Sequence, residues 1–215
     1  MEEIILHMLS ETVNVDRMFV VELFDSTATS ERITEEGEIA TANVDAHFWK
    51  HLPTLASGRK IQRLIYDQHT LQNRMYLFGG NIVPIMRSAV PLFIRFVNPQ
   101  AIAFPDDGAA KRFSSFFAAS VKPENIIICK KIRGSGDETD KRIVTISDGD
   151  PTGKDLYIVD DLVRSGNTLL ECAVKLKQAG AASISFFVTH AEFPCDEWHK
   201  FIDNPLVSEF YTTDS

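Results

Sequence analysis

Cysteine is scarce in this chain. Cys129, Cys172 and Cys195 are the only three, an odd number with no CxxC or Cys/His spacing. That excludes a disulfide framework and a zinc site, and a reducing, intracellular setting is the simplest account. No apolar run approaches the ~20 residues a membrane helix requires. The opening residues, MEEIILHMLSETVN, are acidic where a secretory signal is basic. The expected location is the cytoplasm, with no membrane partner. Positive charge is also short: 22 Lys and Arg against 30 Asp and Glu give a formal net charge of −8. A nucleic-acid binder needs a basic footprint, so nucleic acid is not an expected partner. A small anion needs only a local patch and stays open. Repeats and low-complexity tracts are absent as well.

What remains is ordinary globular composition, 44% hydrophobic and 24% charged over 215 residues. That length suits one good-sized domain or two modest ones. Apolar strands alternate with amphipathic stretches. The strand candidates are MFVVELF (18–24), IQRLIYD (61–67), AIAFP (101–105), NIIICKK (125–131), DLYIVD (155–160) and SISFFVT (183–189). Several are continuous apolar runs, as strands buried on both faces require. Between the last two, Leu169, Leu170, Ala173, Val174 and Leu176 form a helical stripe that Gly180 closes. This is a βαβ unit, so the fold class is α/β with a parallel sheet. Further helices are expected over 43–52, 85–97 and 108–119, a boundary near 85–100, and a loop at GSGDETD (134–140).

One stretch calls for a chemical explanation. In LYIVDDLVRSGNTLLECAVKLKQAG (156–180), Asp160 and Asp161 end an apolar strand, and Ser165-Gly166-Asn167-Thr168 opens a helix. Ligands of open α/β sheets bind beyond the carboxyl ends of the strands. A helix N-terminus offers free N–H groups and a positive dipole end to an anion. Carboxylates repel phosphate but accept hydrogen bonds from vicinal hydroxyls. A sugar phosphate satisfies both halves. The rival reading is an acidic cap before an ordinary turn.

VDDLVRSGNTL resembles the phosphoribosyl-pyrophosphate (PRPP) motif of type I phosphoribosyltransferase folds, and more narrowly the ribose-5-phosphate loop of ribose-phosphate pyrophosphokinases. Asn167 stands where that family carries glycine, and Asn tolerates a left-handed backbone better than most residues. FPDDGAAKRF (104–113) resembles the family's pyrophosphate loop, YDQHTLQNRMY (66–76) its magnesium segment, and CKKIRGSGDETDKRIV (129–144) its catalytic flexible loop. FPDDGAAKRF, DKRIV and VTHAEFP are closest to the wording of the plant-type, phosphate-independent class. Acids that bacterial and animal members carry further on are absent, where this chain reads LFGGNIVP.

The resemblance implies two phosphoribosyltransferase-like lobes, a partial one over 1–87 and a nearly complete one over 88–215. It implies an ATP-dependent diphosphokinase that makes PRPP and AMP from ribose 5-phosphate. Asp160, Asp161, Arg164, Ser165, Gly166, Asn167 and Thr168 would bind ribose 5-phosphate; Asp106, Asp107, Gly108 and Arg32 would serve pyrophosphate and ATP. Asp67, His69 and Asp106 would hold Mg²⁺, with ATP as co-substrate, and Lys131 and Arg133 would be catalytic. It also implies a homo-oligomer, because in that family the nucleotide site borrows residues from a neighbouring subunit, or association with a full-length synthetase, because family members extend beyond both ends of this sequence. Two alternatives stay open: a phosphoribosyltransferase using PRPP and a base, and a non-catalytic regulatory subunit.

Overall fold

The computed structural model describes residues 2–12, 14–27, 29, 30, 33, 35–71, 73–133 and 142–215. The chain divides into two compact units, residues 1–88 and 89–215. Among the described residues the strands form two sheets, one in each unit.

In the first unit, β1 (Phe19–Glu22), β2 (Ile61–Tyr66) and β3 (Ile82–Arg87) form a parallel sheet in the order β1-β2-β3. The helices are α1 (Glu2–Thr12), α2 (Thr41–Lys50) and the single turn α3 (Asn73–Tyr76). Strand β2 alternates buried and half-buried residues, which sends Ile61 and Ile65 into a core with Ala46, Trp49, Leu52 and Leu77. The same alternation also buries Arg63. Its guanidinium lies 4.0 Å from the Trp49 ring centroid and donates to Glu22 Oε2 (2.6 Å from Nε) and Asp45 Oδ2 (3.1 Å).

The second unit holds the helices α4 (Val90–Val97), α5 (Asp107–Phe117) and α6 (Asn167–Gln178). Its strands are β4 (Ile102–Phe104), β5 (Ile126–Arg133), β6 (Arg142–Asp148), β7 (Asp155–Val163), β8 (Ser183–Ala191) and β9 (Phe210–Thr212). The sheet order is β6-β5-β4-β7-β8-β9, parallel except for β6, which runs antiparallel to β5. Successive side chains of a strand point to opposite faces. Ile158 and Phe186 therefore join a core with Leu169, Cys172 and Leu176 of α6. Their neighbours Val159 and Phe187 join a second core with Phe93 of α4 and Phe113 and Phe117 of α5. Helices on both faces explain why β7 and β8 are nearly continuous apolar runs. Cys129 and Cys172 are free thiols inside the first of these cores, their sulfurs 3.3 Å apart.

Three expectations need correction. Residues 85–87 of the expected 85–97 helix region belong to β3, and the helix starts only at Val90. Pro84 is tolerated because β3 is an edge strand. Asp160 and Asp161 do not end their strand: β7 continues to Val163 and pairs with β8 as far as Val163↔Ala191. Lys131 and Arg133 belong to a strand rather than to a loop, because β5, past a register shift between Ile128 and Cys129, pairs with β6 out to Arg133↔Arg142. Arg32, Lys141 and the 134–140 stretch lie outside the described residues.

Candidate functional site

Strand β4 is followed by α5 and then β5, on one side of it; β7, on its other side, is followed by α6 and β8. The connections therefore reverse direction between β4 and β7, which makes the carboxyl ends of these neighbouring strands the switch point of the sheet. Ligands of doubly wound sheets bind there. Asp106 follows β4, and Asp160 and Asp161 lie in the carboxyl-terminal half of β7.

Asp106 caps α5. Its backbone is extended (φ −158°), and Oδ1 accepts from the Ala109 N–H at 2.9 Å. Asp107 is the first helical residue, and a side chain on Gly108 would crowd Asp106 Oδ1 at 3.1 Å. Asp160 Oδ1 accepts from the Asp161 N–H at 2.9 Å. Burial, then the adjacent Asp161, then Asp106 push the Asp160 carboxyl well above the usual carboxylate range. Asp161 is buried, and Arg112 Nη1 of α5 stands 3.6 Å from its Oδ2. The acid pair thus has a cation on one side.

The loop after β7 turns on Gly166, which is left-handed (φ 75°) and precedes α6 without any side-chain cap. Among the described residues, no backbone acceptor outside the regular elements takes the N–H of Gly166, Asn167 or Thr168. The first turn of a twelve-residue helix therefore presents donors beside two acids. A monoester and a diol fit that pairing. A cap alone would leave the acids unexplained.

Loop side chains are held from outside. Arg164 Nε pairs with Glu192 Oε2 at 2.8 Å. Lys200 Nζ donates to the Ser165 carbonyl at 3.2 Å and to Asn167 Oδ1 at 3.1 Å. Ser165 and Thr168 are half-buried. Lys131 shares its face of β5 with the buried Ile127 and Cys129 and is itself half-buried. The backbone of Arg133 closes that strand.

The other candidates belong to the first unit. Asp67 follows β2, is buried, has a left-handed backbone (φ 36°), and donates its N–H to the Arg87 carbonyl at 3.0 Å. His69 is exposed two residues later. Among the described residues no group of three or more His, Cys, Asp or Glu side chains could hold a metal. Mg²⁺ does not need such a cage: it keeps waters and takes one or two carboxylates together with substrate phosphates. Asp106, with one oxygen committed to Ala109 and a second to offer, fits that role at the switch point.

Arg112, Glu192, Lys200 and Phe201 are site neighbours that the sequence reading left out. Arg112 stands inside FPDDGAAKRF and was noticeable as a cation close behind Asp106. Glu192 stands inside VTHAEFP; Lys200 and Phe201 follow in a stretch without periodicity, and no sequence signal marks them.

A scan of protein-family models finds none that matches the chain. Curated proteins do match. The "Ribose-phosphate pyrophosphokinase 3, mitochondrial" of Spinacia oleracea is 38% identical over 229 residues, 99% of this chain and 54% of the spinach protein. The "Ribose-phosphate pyrophosphokinase 4" of Oryza sativa subsp. japonica is 41% identical over 184 residues, 83% of this chain and 54% of that protein. Among solved structures, phosphoribosylpyrophosphate synthetase from Mycobacterium smegmatis superposes with a TM-score of 0.73 at 16% identity, over 98% of this chain and 72% of that one. A doubly wound sheet with an acid pair and a glycine-turned loop at its switch point is the phosphoribosyltransferase type of fold. With these relatives, the chain belongs to the ribose-phosphate pyrophosphokinase family. It spans about half the length of the curated relatives it matches. Among the described residues no helix is long and apolar enough to cross a membrane.

Proposed function

We propose that the chain carries the ribose-5-phosphate half of a ribose-phosphate diphosphokinase, which converts ribose 5-phosphate and ATP to PRPP and AMP. The observation that carries this reading is the uncapped N-terminus of α6 behind left-handed Gly166, set beside Asp160 and Asp161. In the proposed reaction the anomeric oxygen attacks the β-phosphorus of ATP. The bond from that phosphorus to the oxygen it shares with the α-phosphorus breaks, and AMP leaves with that oxygen. Little covalent chemistry falls to the protein, so positioning and charge neutralisation dominate.

Asp160 and Asp161 would accept from the ribose hydroxyls, and the amides and hydroxyls of Ser165 to Thr168 would donate to the 5-phosphate. Lys131 and Arg133 would neutralise charge on the transferring group. Asp106 would hold Mg²⁺ in the second unit, and in the first unit Asp67 and His69 would take magnesium or nucleotide phosphates; the ion would supply charge neutralisation on the ATP phosphates. Asp107, Gly108 and Arg32 would serve the pyrophosphate and the nucleotide. We assign residues 1–87 to a partial N-terminal lobe and 88–215 to the C-terminal lobe, in a homo-oligomer or beside a full-length synthetase. A cytoplasmic location is the reading the free cysteines support, and cell fractionation tests it against the mitochondrial and chloroplastic names of the relatives.

The test is to mix the chain with ribose 5-phosphate, Mg²⁺ and ATP and to measure AMP and PRPP. Stoichiometric AMP and PRPP are expected. A second reading, sugar-phosphate binding without turnover, draws on Asn167, which stands where the family carries glycine. Calorimetric binding of ribose 5-phosphate with no AMP selects it. No binding by a folded chain overturns both.

A further inference from the structure

We propose that the segment from Glu192 to Phe201 is a brace that presets the 164–168 loop for a phosphate monoester, with Lys200 as its positioning residue. The proposal rests on the sugar-phosphate reading of that loop.

The segment touches three successive parts of the loop. Glu192 pairs with Arg164, and its own N–H donates to the Val163 carbonyl at 3.0 Å. Lys200 bridges the Ser165 carbonyl and the Asn167 side chain. The Phe201 ring occupies the space a side chain at Gly166 would need: a Cβ there would stand 2.4 Å from its Cε2. Phe201 in turn is buried among Phe186, Phe193 and Phe210, with ring centroids 4.9 to 5.5 Å away.

Lys200 acts through the loop rather than on the ligand. An ammonium has three donors. Those of Lys200 go to Ser165, Asn167 and Glu197 Oε1 (2.8 Å), so none is left for a phosphate. A trans peptide is planar, with its C=O and N–H on opposite sides. Turning the Ser165 carbonyl toward Lys200 therefore turns the Gly166 N–H away from it. Asn167, where the family carries glycine, has its side chain committed to Lys200.

The brace also carries strain. Phe193 (φ 39°), Cys195 (φ 58°) and Asp196 (φ 60°) are left-handed without being glycine. Such residues cost on the order of 1–3 kcal/mol each and persist only where the surroundings enforce them. Phe193 is held in the aromatic cluster, with its ring against Phe201 and Phe210.

The test compares wild type with Lys200→Met, Lys200→Arg, Asn167→Ala and the Met/Ala double variant. Ribose 5-phosphate binding is followed by calorimetry, and amide hydrogen exchange is followed in the unliganded chain. Lys200→Met is expected to weaken binding about tenfold and to speed exchange at Gly166 to Thr168 by a similar factor. Exchange in β7 and β8 should not change. Lys200→Arg should recover much of the affinity, and the double variant should bind no more weakly than the worse single one. Unchanged loop exchange in Lys200→Met, or additive losses in the double variant, overturns the brace. If wild type binds no ribose 5-phosphate, the sugar-phosphate reading falls, and the exchange result alone decides the brace.

Discussion

Arg112 and Asp161 join α5 to the acid pair of β7. The guanidinium Nη1 stands 3.6 Å from the carboxylate Oδ2, and the two side chains are only 15% and 9% exposed. Breaking a shielded pair by removing one partner strands the other charge. Arg112→Met should therefore destabilise the chain by about 2 kcal/mol, read as a lower denaturation midpoint. Adding Asp161→Asn should recover part of that loss, because the stranded charge goes with it. A double variant that loses the sum of both single effects would show that the two groups do not interact.

Asp160 makes binding depend on pH. Its carboxyl is raised by burial, by Asp161 and by Asp106. A raised acid keeps its proton to higher pH in the folded chain. Its stabilising contribution is thus complete below the ordinary value of 3.8 and is lost as pH rises through the folded value. An ionised carboxylate accepts from sugar hydroxyls more strongly than the protonated acid does, so affinity should rise with pH across the same window. Ribose 5-phosphate titrates as well, so the informative quantity is the difference between wild type and Asp160→Asn. Affinity profiles of the two proteins that run parallel from pH 5 to 8 would remove Asp160 from the sugar site.

Much of this fold and part of this site were legible in the amino-acid sequence. The strands β7 and β8 show as nearly continuous apolar runs, and α6 shows as a helical stripe closed by Gly180. The acid pair stands out as well, because two carboxylates inside an apolar strand are costly to bury and demand partners. Strand β3 was hidden because Pro84 reads as a break, and only its edge position makes that residue harmless. The three-residue β9 is too short to show any period. The contacts of Arg112, Lys200 and Phe201 join residues 33 to 49 positions apart, in stretches with no pattern of their own. Such pairings are decided by the packing of the whole unit, and local sequence cannot express them.

Gly166→Ala should be costly twice over. The left-handed backbone alone penalises a Cβ by about 1–2 kcal/mol, and the Cβ would also meet the Phe201 ring. Phe201→Ala removes that collision but opens a hole in the aromatic cluster. The expectation is therefore non-additive. In the Phe201→Ala background, Gly166→Ala should cost only the backbone term, measurable by chemical denaturation. Equal costs in both backgrounds would mean that the ring does not confine this glycine.

In the first unit, Arg63 stands between two acids, and its exposure is only 1%. Burial raises Glu22 from 4.5 to about 7 against the opposing pull of Arg63, and it raises Asp45 as well. The sign matches that of Asp160: the stabilising contribution of Glu22 is complete below 4.5 and is lost as pH rises to about 7. At 1.36 kcal/mol per pH unit that swing is on the order of 3 kcal/mol. Glu22→Gln keeps an oxygen that can accept from the guanidinium and has no proton to lose. Relative to wild type it should therefore gain stability between pH 5 and pH 7.5. Arg63→Met tests the same cluster from its centre, since it leaves Glu22 and Asp45 together without their cation; a loss of about 3–5 kcal/mol at pH 7.5 is expected, with a smaller loss at pH 5, where Glu22 is protonated. If the Arg63→Met loss is the same at both pH values, Glu22 does not hold a proton near neutrality, and its elevated pKa is not a property of the folded unit.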